Sequence, residues 1–171
     1  GKREVYLAHD EERDLHLRFF GWARFVAADV EFIAQFAPFV EMGGGSGWLA
    51  FLLRDRGADV TCYDAQDPGT FVQGWKQWPW WEGVREGSAE VLRSAAPSSS
   101  LLLCWPDIAS DFACACLDRF RGNVLVYIGE PEGGCTADAR FFSTLNQQWT
   151  LSHRQPMVWA EARASGTSGG G

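Results

Sequence analysis

A run of glycines between two apolar segments is the feature that most constrains how this chain can fold. Residues 43–47 read Gly-Gly-Gly-Ser-Gly and follow the short, strand-like segment Phe39–Met42. The next residues, Trp48–Arg56, have the composition of a helix, and Gly57 is placed to end it. Glycines at such a turn let a ligand approach backbone N–H groups at the helix N-terminus. The segment therefore predicts a strand, a ligand-binding turn and a helix.

The alternation of strand and helix continues along the chain. A second strand is expected at Asp59–Tyr63, ending at Asp64, which completes a βαβ unit with parallel strands and a right-handed connection. Further elements are expected as strands near Val84, at Ser100–Trp105 and at Asn123–Ile128, and as helices at Ala89–Ala96, Phe112–Arg121 and Ala137–Gln148. This pattern predicts an α/β fold, a three-layer αβα sandwich around a doubly wound, mostly parallel sheet.

Both ends of the chain carry further expected elements. Apolar residues at three- and four-residue steps predict a helix over Leu15–Phe36, which Pro38 ends. After the last helix, Trp149–Arg154 and Met157–Ala162 are expected to form a short or incomplete antiparallel hairpin. These two additions would complete the predicted fold on either side of its core.

The length of 171 residues fits a single domain, expected over residues 1–164. Within it we expect a helical cap at about 1–37 and a core at about 38–164, followed by a Gly/Ser-rich tail at 165–171. No stretch approaches the ~20 apolar residues of a membrane span. No signal-peptide pattern opens the chain, so a cytoplasmic location without a membrane partner is expected.

Charge and cysteine usage exclude several classes of protein. The formal net charge of −7 argues against a nucleic-acid binder, whose affinity comes from Lys and Arg side chains on phosphates. The five cysteines are odd in number and include no Cys-x-x-Cys pair, which argues against a disulfide framework and a zinc ribbon. Cys114 and Cys116 lie in an apolar stretch and are expected to be buried thiols. No metal site is predicted.

The residues around the glycine turn separate three kinds of ligand site. A P-loop needs Lys and Ser/Thr after its last glycine, whereas Gly47 is followed by Trp48 and a leucine. The dinucleotide fingerprint needs Gly or Ala where Trp48 stands, which argues against a nucleotide-linked oxidoreductase. The spacing that fits is Glu-x-Gly-x-Gly-x-Gly, formed by Glu41, Gly43, Gly45 and Gly47.

With this spacing the chain resembles the class I S-adenosylmethionine-dependent methyltransferases over about residues 36–150. In that family an acidic residue and Gly-x-Gly-x-Gly end the first strand, as Glu41–Gly47 do here. An acidic residue that binds the ribose hydroxyls ends the second strand, matched by Asp64. A polar segment after the third strand brackets the adenine, matched by Glu86–Ala89. A motif after the fourth strand lies beside the transferred methyl group, matched by Cys104–Asp107.

The resemblance implies S-adenosylmethionine as the cofactor. The residues it implies at the cofactor are Glu41, Gly43, Gly44, Gly45, Gly47, Asp64, Ala65, Gly87, Ser88, Ala89 and Cys104. The Cys-Trp-Pro sequence with a downstream Tyr-Ile-Gly-Glu is also similar to a small, uncharacterised group of methyltransferases, which implies no particular substrate.

The fourth motif departs from the pattern of amino-methyltransferases, in which Asp, Asn or Ser precedes Pro-Pro and an aromatic residue. Cys104 and Trp105 stand at the first two positions here. A thiol is a poor hydrogen-bond acceptor for a target amine. Together with the acidic charge, this departure argues against methylation of nucleic acids.

Candidate residues for catalysis and substrate binding lie near the expected strand ends. Alignment of acceptor and methyl group alone can supply roughly 7–11 kcal/mol. If the acceptor must lose a proton, Asp107 and Glu130 are the candidate bases, with a helix cap and a solvated loop charge as the alternative roles. Trp22 and Trp105 are candidates for the substrate pocket. The four tryptophans of residues 75–81 form either an aromatic wall or the packing of a long loop.

The sequence therefore predicts S-adenosylmethionine-dependent methyl transfer to an N, O or S atom of a small molecule or a peptide side chain. The alternative from another class is a non-catalytic binding or scaffold module with the same fold. A nucleic-acid methyltransferase and a nucleotide-linked oxidoreductase are favoured less. The oligomeric state is left open.

Overall fold

The computed structural model describes residues 16, 17, 19–65 and 83–157, and a five-stranded sheet forms its centre. The strands are Phe39–Met42 (β1), Val60–Asp64 (β2), Val84–Glu86 (β3), Ser100–Cys104 (β4) and Leu125–Ile128 (β5). All strand pairs are parallel, in the order β3-β2-β1-β4-β5. The five strands lie close to their expected positions. The tryptophans of residues 75–81 and the tail at 165–171 lie outside the described residues.

Helices cover both faces of the sheet, as expected for three layers. They are Ala27–Ala34 (α1), Trp48–Asp55 (α2), the 3₁₀ helix Ala89–Ser94, Phe112–Arg119 (α3) and Ala139–Gln148 (α4). Side chains alternate along β1, so Phe39 packs with α1 and α2 whereas Val40 and Met42 pack with the 3₁₀ helix, α3 and α4. The core is thus two hydrophobic clusters separated by the sheet.

The order of the chain through the sheet reverses at β1. Along β1, Glu41 lies in register with Cys62 of β2 on one side and Leu102 of β4 on the other. In parallel sheets, ligands bind outside the carboxyl ends of the strands where this reversal occurs. The glycine turn follows β1 directly, so it lies at the reversal point.

The predicted helix over Leu15–Phe36 is wrong in its middle, because residues 21–26 are not helical. Gly21 has a φ of +103°, a conformation outside the helical region. Ser46 of the glycine turn donates a hydrogen bond to the Phe20 carbonyl oxygen at 3.0 Å and so removes this acceptor from the helix ladder. A tertiary contact therefore overrides the local periodicity, and α1 begins only after this break.

The expected hairpin is wrong at its first strand, since Trp149–Arg154 forms no strand. The Trp149 ring stacks on Phe120 with ring centroids 6.4 Å apart, so packing against α3 determines where the chain runs after α4. The segment that follows is exposed, with Leu151 75% accessible. Of the second expected strand, Met157–Ala162, only the first residue lies within the described residues.

Two helices differ from their expected form. The segment expected as the helix Ala89–Ala96 is a 3₁₀ helix that ends at Ser94. The last helix begins two residues late because Ala137 has a φ of +55° and Asp138 is the N-cap, whose carboxylate accepts from the Phe141 amide at 2.8 Å. Within the described ranges, no helix is long and apolar enough to cross a membrane.

Candidate functional site

The glycine turn adopts a conformation that requires glycine at alternate positions. Gly43, Gly45 and Gly47 have φ values of +71°, +55° and +78°, and Gly47 is the N-cap of α2. L side chains rarely adopt this region, whereas glycine enters it without a steric cost. The Gly-x-Gly-x-Gly spacing is thus explained by the backbone of the turn itself.

Gly44 is required for a different reason, which is its contact with β2. A Cβ atom at this position would lie 2.1 Å from the Cys62 sulfur. The Gly44 amide donates to the Tyr63 carbonyl oxygen at 3.0 Å, which holds the turn against the strand. Glycine here lets the turn lie directly on β2.

Asp64 ties the same turn to the end of β2. Its Oδ2 atom accepts a hydrogen bond from the Gly45 amide at 2.9 Å. Charge-assisted bonds of this kind are stronger than bonds between neutral groups. The two segments expected to contact one ligand, the glycine turn and the acidic end of the second strand, are therefore joined directly.

A cavity of about 350 Å³ opens above the ends of β1, β2 and β4. Expected site residues in its lining are Trp22, Glu41, Gly43, Gly44, Gly45, Asp64, Ala65, Cys104, Trp105 and Asp107. Lining residues that the sequence did not predict are Phe20, Gly21, Ala23, Phe25, Met42, Ser46, Leu49, Pro106, Ser110 and Phe112. Most predicted residues, from four separate chain segments, thus meet in one place.

The segment Phe20–Phe25 forms a wall of this cavity. The bond from Ser46 attaches its first residue to the glycine turn, and the Phe20 ring lies 4.8 Å from the Trp48 ring. Trp22 is 63% exposed within this wall. Trp22 is the residue of this wall that the sequence predicted for the pocket, whereas the bond from Ser46 to Phe20 depends on a tertiary contact that the sequence does not show.

Glu41 is a buried carboxyl group on the floor of the cavity. Its residue is 1% exposed, and its Oε2 atom has no hydrogen-bond partner among the described residues. Burial raises the pKa of Glu41 to about 7, although a hydrogen bond from Cys62 and the charge of Arg54 act in the opposite direction. A nearby Asp64 charge raises the pKa further. A ligand that donates a hydrogen bond would satisfy the unpaired oxygen.

The motif after β4 lines the cavity with a strained backbone. Trp105 has a φ of +53°, which is uncommon for a bulky residue, and its amide donates to the Ile128 carbonyl oxygen at 2.7 Å. Burial raises the pKa of the Cys104 thiol well above its ordinary value, so this thiol stays protonated at neutral pH. Such strain is found where surrounding structure holds a functional residue in place.

The loop between β5 and α4, residues 129–138, packs against this motif and is called the bracing loop below. Asp107 and Thr136 form an antiparallel bridge, and the Ala137 amide donates to the Pro106 carbonyl oxygen at 2.8 Å. Thr136 is fully buried, and its hydroxyl lies 2.7 Å from the Tyr127 hydroxyl. The sequence analysis did not identify Thr136, because its role depends on contacts with distant segments.

Glu130 lies outside the described lining of the cavity. Its carboxylate accepts from the Cys135 amide at 2.7 Å, and this bond lowers the pKa of Glu130. Its own amide donates to the Thr136 hydroxyl at 2.7 Å. The structure therefore places Glu130 in the bracing loop, away from the position expected for a base.

The expected adenine segment also lies outside the described lining. The Gly87 amide donates to the Asp64 carbonyl oxygen at 2.9 Å, which brings this segment beside the end of β2. The Ser88 hydroxyl caps the 3₁₀ helix by accepting from the Glu90 amide at 3.4 Å, and Ala89 begins that helix. Gly47, behind the turn at the start of α2, is likewise not in the lining.

In the part of the chain that the structure describes, no group of three or more His, Cys, Asp or Glu residues could hold a metal ion. Comparison with known proteins found no family model, no curated protein and no solved structure that matches this chain.

The contact between Gly44 and Cys62 can be tested by a double-mutant cycle. Gly44→Ala should destabilise the protein by about 1–3 kcal/mol, because the new Cβ overlaps the Cys62 sulfur. Cys62→Ala removes that sulfur, so Gly44→Ala should cost much less stability in the Cys62→Ala background. Urea unfolding of the four proteins measures this coupling, and strictly additive losses would contradict the contact.

The raised pKa of Glu41 predicts a pH-dependent stability. The folded protein keeps the Glu41 proton until about pH 7, whereas the unfolded chain loses it near the ordinary value of 4.5. The unfolded state binds fewer protons in this window, so the free energy of unfolding falls as pH rises, by about 3 kcal/mol from this group. Urea unfolding between pH 4 and pH 8 should show this slope relative to Glu41→Gln.

The exposed Glu31 on α1 provides a matched control for this measurement. Glu31→Gln should retain the same pH slope as the wild type, because the buried Glu41 is still present. A pH dependence that is equal in the wild type and in Glu41→Gln would show that the proton is not held in the folded state.

The brace at Thr136 predicts a loss of stability on removal of one hydroxyl group. Thr136→Val keeps the shape of the side chain and leaves the Glu130 amide without its acceptor, which costs about 1–3 kcal/mol. Tyr127→Phe removes the other hydroxyl of the pair, and the double variant should lose less stability than the sum of the two. Urea unfolding measures all three losses, and a Thr136→Val variant as stable as the wild type would contradict the brace.

Proposed function

We propose that this chain is an S-adenosylmethionine-dependent methyltransferase of class I, acting on an N, O or S atom of a small molecule or a peptide side chain. The observation that carries the proposal is the hydrogen bond between the Gly45 amide and Asp64 within one cavity. It joins the Glu-x-Gly-x-Gly-x-Gly turn to the acidic residue 17 positions after Gly47. The strand order and the reversal at β1 support the same assignment.

The cavity residues suit the parts of this cofactor. Asp64 would accept hydrogen bonds from the ribose hydroxyls, and the glycine turn would offer its backbone N–H groups to the methionyl end. Glu41 has a buried oxygen without a described partner, which fits a hydrogen-bond donor on the cofactor. Ala65 and the segment from Gly87 to Ala89 would lie toward the adenine. When bound, S-adenosylmethionine supplies an electrophilic methyl group on a sulfonium.

The residues of this chain would contribute mainly alignment. The Cys104 thiol stays protonated, so it is not suited to act as a nucleophile. Trp105 and Asp107 follow β4, and together with Trp22 of the same cavity lining they would hold the acceptor against the methyl group. Because the sulfonium is already a good leaving group, orientation alone can provide roughly 7–11 kcal/mol. Asp107 is exposed at the cavity and is the better placed of the two candidate bases.

Isothermal calorimetry with S-adenosylmethionine tests the proposal. The wild type should bind the cofactor, and Asp64→Ala should weaken binding at least about tenfold, because a charge-assisted hydrogen bond contributes about 1.5–3 kcal/mol. The exposed Asp59 at the opposite end of β2 is the charge-matched control, and Asp59→Ala should bind as the wild type does. Circular dichroism checks that each variant is folded.

Asp64→Asn separates loss of the ligand contact from damage to the turn. The asparagine carbonyl can still accept from the Gly45 amide, so this variant keeps the turn but loses the charge that strengthens the ribose contact. Equal affinity of all four proteins would overturn the ribose assignment. Binding of NAD without binding of S-adenosylmethionine would overturn the proposed function.

A further inference from the structure

The described lining of the cavity contains three acidic side chains and no basic one. The acidic residues are Glu41, Asp64 and Asp107. Arg54, whose charge acts on Glu41, lies outside this lining and donates to the Val60 carbonyl oxygen at 2.8 and 3.1 Å. Glu41 keeps its proton up to about pH 7, so Asp64 and Asp107 carry the negative charge of this lining at lower pH. Two carboxylates without a basic side chain in the lining attract cations and repel carboxylate or phosphate groups.

The acidic residues are spread across the width of the cavity. Asp64 ends β2 and Asp107 follows β4, with β1 between the two strands. Neighbouring strands are about 4.8 Å apart, so the ends of β2 and β4 are about 10 Å apart. If the cofactor occupies the side of Asp64 and the glycine turn, Asp107 is left for the acceptor.

Aromatic rings belong to the lining of the same cavity. Trp22, Trp105 and Phe112 line it together with Asp107. The faces of aromatic rings attract ammonium groups, and tryptophan does so most strongly. Within the described residues, the Asp107 carboxylate accepts one hydrogen bond, from the Ala109 amide at 2.9 Å through Oδ1, so its second oxygen can face a ligand.

The buried carboxyl group of Glu41 points to a ligand independently of these charges. It lines the cavity, it is almost fully buried, and one of its oxygens has no partner among the described residues. A purely apolar occupant would leave this oxygen unpaired at a free-energy cost. The occupant of the cavity is therefore expected to offer a polar group to Glu41, and the carboxylates of Asp64 and Asp107 favour positive charge elsewhere on it.

We propose that the methyl acceptor is an amine on an aromatic or apolar body, bound as an ammonium between Asp107 and the rings of Trp22 and Trp105. This substrate class rests on the proposed methyltransferase function. It narrows the acceptor from N, O or S to nitrogen. It also explains the Cys104 position, because Asp107 supplies the acceptor oxygen that the thiol lacks.

For a primary amine, the reaction transfers one methyl group from sulfur to nitrogen and releases one proton. The ammonium passes one proton through Asp107 to solvent at the exposed mouth of the cavity. Its nitrogen lone pair forms the new N–C bond, and the electron pair of the broken C–S bond remains on sulfur. The products are a methylated ammonium and a neutral thioether, so positive charge moves from sulfur to nitrogen and stays beside a carboxylate.

Calorimetry with three probes that share a phenylethyl body and differ in their polar group tests the proposal. The probes are 2-phenylethylamine, 2-phenylethanol and 3-phenylpropanoate, titrated into wild-type protein saturated with S-adenosylhomocysteine, which has no methyl group to transfer. The amine should bind at least about tenfold more tightly than the alcohol, and the carboxylate should bind weakest. Equal or tighter binding of the alcohol or the carboxylate would overturn the proposal.

Two charge-matched variants test whether Asp107 is the residue that causes the preference for the amine over the alcohol. Asp107→Asn should bring the amine to within about threefold of the alcohol, because the carboxylate that holds the ammonium is gone. Asp111→Asn removes a charge from an exposed residue of the same loop outside the described lining and should keep the tenfold preference. Equal preferences in the two variants would overturn the role of Asp107.

The first titration separates this proposal from the one on which it rests. If S-adenosylhomocysteine does not bind, the methyltransferase assignment fails, and the three probes titrated into the free protein still decide the charge preference of the cavity. If it binds and the amine is not preferred, only the substrate class fails. If S-adenosylhomocysteine binds and the amine is preferred, mass spectrometry after incubation with S-adenosylmethionine should show one methyl group added to the amine nitrogen.

Discussion

The close packing of the glycine turn on the end of β2 is the constraint on which the rest of the site depends. Three consecutive residues of that strand hold the turn: the Cys62 sulfur fills the space beside Gly44, the Tyr63 carbonyl accepts the Gly44 amide, and Asp64 accepts from Gly45. A side chain at Gly44 would push the turn away from the strand. The cavity would then lose the shared wall that brings these segments to one ligand.

The least favourable features of the described structure are concentrated around this cavity. A buried carboxyl group at Glu41 is costly because it has left water, and the strained backbone of Trp105 adds a further local cost. By contrast, the exposed ion pairs of Glu90 with Arg93 and Arg119 contribute little to stability. Unfavourable features such as this buried carboxyl group and this strained backbone are expected at functional sites rather than in parts of the protein that serve stability alone.

The elements that could be predicted were those determined by the local pattern of residues along the chain. β4 and β5 come from apolar runs and the glycine run marks the turn after β1, so the strands lie close to their expected positions. The helix expected over Leu15–Phe36 failed because a hydrogen bond from Ser46 to Phe20 competes with helix formation. The strand expected after α4 failed because Trp149 packs on a ring of another helix.

By itself, the sequence determined the succession of strands and helices along the chain, the place of the glycine turn and the acidic residues at the strand ends, because each depends on local pattern and on the stereochemistry of glycine. Only the tertiary structure decided which of these residues share a cavity. Trp22 and Asp107 line the cavity, whereas Glu130 lies in the bracing loop. Thr136 is buried and forms an antiparallel bridge with Asp107. The physical reason is that each of these positions is set by contacts between segments far apart in the chain, which local periodicity does not encode.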